Sequence, residues 1–177
     1  YLTKSKIRDF GLIPHPTFPV FAASPDGICD DSSPDEYIGR MLEIKCPPKR
    51  VFSNKTKIPE HYEMQMQGQL ECCDLDECDF LQVKFEEYSS YDEYKNDVND
   101  EEQHGLTNNN YPKGCVITYQ KLNDKTYYYL YCPIFSSNQD IEKWITIKKE
   151  FINQNNHQLY EIKYWKILHY KIDLVKR

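Results

Sequence analysis

The chain has 177 residues, 28% of them charged and 14% aromatic, including 15 tyrosines; that is enough to bury one substantial core and too apolar for a disordered chain. No apolar run approaches the roughly 20 residues that a bilayer-spanning helix requires. A net charge of −6 argues against a polyanionic partner only until it is located: from Glu86 to Glu102 eight acids face one base, Lys95, so that stretch carries −7 and the rest of the chain +1.

In chain order, residues 6–13 read as a strand leading into Pro14 and Pro16, and the apolar run Val20-Phe21-Ala22-Ala23 ends in the turn Ser24-Pro25-Asp26-Gly27. A polar loop over 29–35 precedes a third strand over 37–46, which suggests a meander. Alternation puts Glu43 and Lys45 on one face of that strand, read as wet, and Leu42, Ile44 and Cys46 on the other, read as core. Asp26, at a strand end, can come beside Glu43, and two acids with a lysine outline a pocket for a divalent metal. A basic run follows: Lys45, Lys49, Arg50, Lys55 and Lys57, with no acid over 44–59.

Pro59 opens a helix expected over 60–73. Its packing stripe is Met66, Leu70 and Cys73, and a neighbouring polar stripe is Tyr62, Gln65 and Gln69. A strand over 78–85 then makes a strand, helix, strand crossover that should run parallel to the third strand. The acidic stretch, about 86–113, reads as a loop insertion within a single domain over 1–177. Residues 115–121 and 126–131, joined through Asn123-Asp124, read as a hairpin, and Ser136 to Asn138 can cap a helix over 139–153 that packs through Ile141, Trp144, Ile145, Lys148 and Ile152. Beyond 159 the chain reads as strand at first and has no clear period. The seven cysteines are odd in number and lack a CxxC pair, and the five histidines never fall at i, i+4 spacing. They predict reduced thiols in an intracellular, cytoplasmic protein that is not secreted, and no zinc site.

Taken together, Ser24-Pro25-Asp26-Gly27, Glu43-Ile44-Lys45-Cys46-Pro47 and Tyr62-Glu63-Met64-Gln65-Met66-Gln67 resemble the lambda-exonuclease and YqaJ-like viral recombinase group of the PD-(D/E)XK nuclease superfamily. The resemblance implies an α/β fold with a restriction-endonuclease-like core, a mixed β-sheet flanked by helices. The helical segment that family members carry before the first strand has no counterpart here and would precede Tyr1. The implied activity is Mg²⁺-dependent (or Mn²⁺-dependent) hydrolysis of DNA by an exonuclease resecting double-stranded ends in viral or phage recombination, beside a single-strand annealing protein and in a homo-oligomer. Asp26 and Glu43 would ligate the metal with the Ile44 carbonyl. Lys45 would position the attacking water and Gln65 would stand against the site. Ser24, Tyr62, Gln67, Lys49 and Arg50 would meet substrate. Two other readings stay open: a noncatalytic nucleic-acid-binding module with this fold, and an endonuclease or RNA-degrading shutoff nuclease.

Overall fold

A computed structural model describes residues 3–99, 104–122 and 124–177. Asp100, Glu101 and Glu102 of the acidic stretch, and Asn123 of the hairpin junction, lie outside the described residues. The chain divides into two compact units, residues 1–83 with 170–177, and residues 84–169.

The first unit is built on β1 (Ile7–Arg8), β4 (Gly27–Cys29), β5 (Met41–Lys45), β6 (Glu77–Glu87, up to Val83) and the end of β9 (Gln158–Lys176), in that order across the sheet. A separate ribbon pairs β2 (Ile13–Pro14) with β3 (Ala22–Ala23). The expected first strand is therefore two short ones. The turn at Pro25 is followed at once by a strand where a loop was expected, because Gly27–Cys29 pairs antiparallel with both β1 and β5. Gly27 suits that position: a Cβ there would run into the Ile7 side chain.

The crossover is present. Helix α1 (Glu60–Cys73) starts after Pro59 and stops at Asp74, whose left-handed backbone (φ 52°) turns the chain so that the Leu75 N–H returns to the Leu70 carbonyl at 3.0 Å. β5 and β6 then run parallel, Met41 beside Cys78, Glu43 beside Phe80 and Lys45 beside Gln82. Met41, Cys78 and Phe80 pack with Met66 and Leu70 of α1 and Val175 of β9, and the first five are fully buried. Each such burial contributes about 1.5–3 kcal/mol.

This packing inverts the reading of β5. Glu43, 1% exposed, lies on the strand face that α1 covers, whereas Ile44 is exposed. The pattern of β5 misled because its covered face carries an acid and a lysine, and the compensating groups come from a helix 17 residues downstream. On α1 the buried residues are Met66, Gln69, Leu70 and Cys72, so the third packing position is Cys72 and not Cys73.

In the second unit, β7 (Lys113–Gln120) pairs antiparallel with β8 (Tyr127–Tyr131), the expected hairpin, and with β9 on its other side. Helix α3 (Asn138–Gln154) begins where Ser137 accepts the Asp140 N–H at 3.1 Å. Ile141 and Ile152 are buried against this sheet, with Trp144 and Ile145 partly so. The acidic stretch contains α2 (Tyr91–Asn96), and Tyr88 and Tyr94 are buried with Cys115 and Ile141. Part of the segment expected as loop is thus a helix, since the spacing of Tyr91 and Tyr94 gives it an apolar face that the average composition hides. All seven cysteines are free thiols, and no helix among the described residues is long and apolar enough to cross a membrane.

Candidate active site

Asp26 and Glu43 are placed by the antiparallel pairing of β4 and β5. Gly27 lies opposite Leu42, and continuing that register by one residue sets Asp26 across from Glu43. Asp26 is exposed, and its Oδ2 accepts the Ile44 backbone N–H at 2.6 Å. The carboxylate thereby takes a sheet hydrogen bond just past the end of β4.

Glu43 is the centre of the arrangement. Its Oε1 accepts from the Lys45 ammonium and from Gln65 Nε2 at 2.8 Å, and its Oε2 accepts from Gln69 Nε2 at 2.9 Å. A buried carboxylate is tolerated only when donors replace the water it has lost, and here β5 supplies one and α1 two. Gln65 and Gln69 are one helical turn apart, so both amides reach the same strand. Gln69 also lies 3.3 Å from the Ser24 carbonyl, linking the Asp26 turn to Glu43 through a single amide. Neighbouring Cys78 is pushed up to about 12, first by burial and then by the Glu43 charge, so it remains a protonated thiol and no nucleophile.

Tyr62, three residues before Gln65 on α1, packs against Phe80 with ring centroids 5.7 Å apart. Its ring lies 5.2 Å from the Lys45 ammonium and 5.4 Å from the Arg50 guanidinium. Arg50 in turn donates to Gln82 Oε1.

The structure thus brings together Asp26, Glu43, Ile44, Lys45, Tyr62, Gln65 and Arg50 from among the expected residues, with the Ser24 backbone beside them. The Ser24 hydroxyl points elsewhere, to the Phe10 carbonyl at 3.5 Å. Gln67 is not part of the cluster: its amide donates to the Lys176 carbonyl at 2.8 Å, because a residue two positions from Gln65 leaves α1 in another direction. Lys49 is exposed, and the Ile44 group in use is its N–H. Two participants were absent from the expected site. Gln69 carried a signal, since it continues the polar stripe of α1, and Gln82 carried a fainter one as the polar residue in the run Phe80-Leu81-Gln82-Val83.

Among the described residues no group of three or more His, Cys, Asp or Glu side chains is disposed to hold a metal ion. The donors around Asp26 and Glu43 are instead hard oxygens of mixed kind: two carboxylates, the Ser24 carbonyl, and the Oε1 of Gln69, which is buried and lacks a hydrogen-bond partner. That set fits a hard dication such as Mg²⁺, which completes its shell with water, and would not suit a soft metal.

Residues 1–76 match the family model of the YqaJ-like viral recombinase domain. The resemblance drawn from the motifs is borne out over that segment. The chain is also 33% identical to an uncharacterized protein of Acanthamoeba polyphaga mimivirus, over 97% of this chain and 36% of that protein. Among solved structures it is similar to an alkaline exonuclease from Laribacter hongkongensis, alone (20% identity) and in complex with dAMP (21% identity). Both matches have a TM-score of 0.36 and cover 88% of this chain and 59% of the other. The chain therefore spans about a third of the curated relative and less than two thirds of the solved chains.

Proposed function

We propose, taking the YqaJ-like domain of residues 1–76 as premise, that the protein is a Mg²⁺-dependent nuclease that hydrolyses DNA phosphodiesters, and specifically an exonuclease acting on duplex ends during recombination. The observation that carries this reading is the convergence of Lys45, Gln65 and Gln69 on one buried carboxylate, with Asp26 beside it. An incidental surface ion pair would contribute little energetically and would need neither the burial nor the two glutamines.

Asp26, Glu43 and the Ile44 carbonyl would hold Mg²⁺, whose part when bound is to supply Lewis acidity to water and phosphate. Gln65 and Gln69 fix the Glu43 carboxylate, so that little reorganisation remains to be made during the reaction. The Lys45 side chain, donating to Glu43, is placed to orient an attacking water and to stabilise charge gathering on the phosphate. Tyr62 holds the Lys45 ammonium on its ring face. A strand-annealing protein would be the natural partner, since resection of an end exposes a single strand.

The test is cleavage of end-labelled duplex with Mg²⁺, comparing the wild type with Asp26→Asn and Lys45→Ala, and with closed-circular DNA and RNA as alternative substrates. Loss of cleavage in both variants with linear duplex preferred is the expected result. Equal DNA binding by all three proteins without cutting would assign a noncatalytic binding module instead. Cutting of circles or RNA would reassign the substrate.

A further inference from the structure

Gln82 is out of place in the core of the first unit. It stands beside Lys45 in the parallel register of β5 and β6, has no solvent exposure, and its Nε2 finds no hydrogen-bond partner. A leucine or methionine there would avoid the cost of burying an amide N–H₂ that has no partner. What the amide does accomplish is to accept a hydrogen bond from Arg50 Nη2 at its Oε1. Rotated by half a turn it would set its own N–H₂ against a guanidinium that can only donate, so Arg50 fixes its orientation.

The guanidinium is also held by rings, with its carbon 5.4 Å from the Tyr62 centroid and 5.9 Å from that of Phe52. Lys45 and Arg50 share the Tyr62 ring but differ in charge balance. Lys45 is paired with Glu43, whereas no acid among the described residues lies within ion-pair distance of Arg50. A carboxylate at position 82 would have anchored Arg50 more strongly and cancelled its charge. The neutral amide anchors it and leaves its charge uncancelled for an incoming anion, although the Nε–H is itself buried and unpartnered.

We propose that Arg50 grips a backbone phosphate of the bound nucleic acid and that Gln82 is its positioning residue, Tyr62 serving as the platform that spaces it from Lys45. The inference rests on the nuclease reading for the identity of the anion, a phosphodiester close to the one hydrolysed.

The experiment is fluorescence anisotropy of a labelled DNA duplex in EDTA across a salt series, with Mg²⁺-dependent cleavage followed in parallel. The proteins are the wild type, Arg50→Ala, Gln82→Leu, Gln82→Glu, and Arg50→Ala combined with Gln82→Leu. Arg50→Ala should weaken binding roughly tenfold and reduce the slope of log affinity against log salt by about 1. Gln82→Leu should weaken binding and lower the slope in the same direction, and the double variant should be no weaker than Arg50→Ala alone. Gln82→Glu, which keeps an acceptor for Arg50 and so guards against misfolding of the leucine variant, should also flatten the slope, because it neutralises the cation. Wild-type binding by both position-82 variants, or a double variant weaker by the product of the two single effects, would overturn the role of Gln82. An unchanged slope in Arg50→Ala, or no wild-type binding in EDTA, would overturn the phosphate grip even if cleavage proceeds. Arg50-dependent binding with no cleavage by any protein would support the grip and defeat the nuclease reading.

Discussion

Gln69 spans from α1 to Glu43 on β5 with a 2.9 Å hydrogen bond, and the two side chains are 4% and 1% exposed. The neighbouring bond from Gln65 is of similar length, 2.8 Å, yet Gln65 is exposed. Burial separates their energetic roles. Gln69→Leu should destabilise by about 1–3 kcal/mol, since water cannot replace the lost donor, and Gln65→Ala by about 0.5–1.5 kcal/mol or less. Urea denaturation of the two variants checks the order, and equal losses would show that burial does not set the cost.

Gly27 gives a second expectation, on the fold that presents Asp26. A Cβ at Gly27 would meet the branched part of Ile7 and approach the Arg8 carbonyl, so Gly27→Ala should push β1 from β4 and cost about 1–3 kcal/mol. Adding Ile7→Ala should restore part of that loss. Thermal unfolding of the single and double variants reads the coupling, and strict additivity would show that the two sites do not collide.

Acid stability should depend on Asp30. Hydrogen bonds from the Ser32 hydroxyl and backbone N–H, with Arg8 beside it, hold its carboxyl down at about 2. A depressed folded value means that the unfolded chain takes up the proton first as pH falls. The contribution is therefore complete above the ordinary carboxylate value near 3.8 and disappears as pH drops through about 2. Asp30→Asn should be less stable at neutral pH and flatter than the wild type over that acid window, measured by urea midpoints against pH.

Alkali should act on the second unit with the opposite sign. Burial pushes Tyr164 up to about 12 and raises Tyr88 and Tyr94 as well. Each raised phenol favours the folded state fully below the ordinary value near 10, and that advantage is lost as pH climbs through the folded value. Absorbance at the phenolate band should show these rings titrating late, together with unfolding, and Tyr164→Phe should be less sensitive between the two values.

Much of this was legible in the sequence because the signals were local. Helix α1 was expected over 60–73 and occupies Glu60–Cys73, since Pro59 and the polar and apolar stripes fall within one segment. The parallel pairing of β5 with β6 followed from the intervening helix. What escaped was contributed by partners distant in the chain. β4 is three residues long and recognisable only through its neighbours on both sides, the face of β5 is decided by α1, and Gln82 acquires its meaning from Arg50, 32 positions away. The acidic stretch misled for another reason: its charge dominates the average, while Tyr88 and Tyr94 decide its packing.

The contact between Asp26 and the Ile44 amide makes one oxygen serve two masters. The side chain stands in for the peptide carbonyl that a longer β4 would have offered, so the architecture and the proposed metal ligation draw on the same carboxylate. Removing it outright would therefore fray the edge of the pairing as well as take away the proposed metal ligand, whereas asparagine, still an acceptor, can leave the scaffold whole. An inactive Asp26→Ala protein would on its own say little about reactivity, and the inactive asparagine variant is the one to trust.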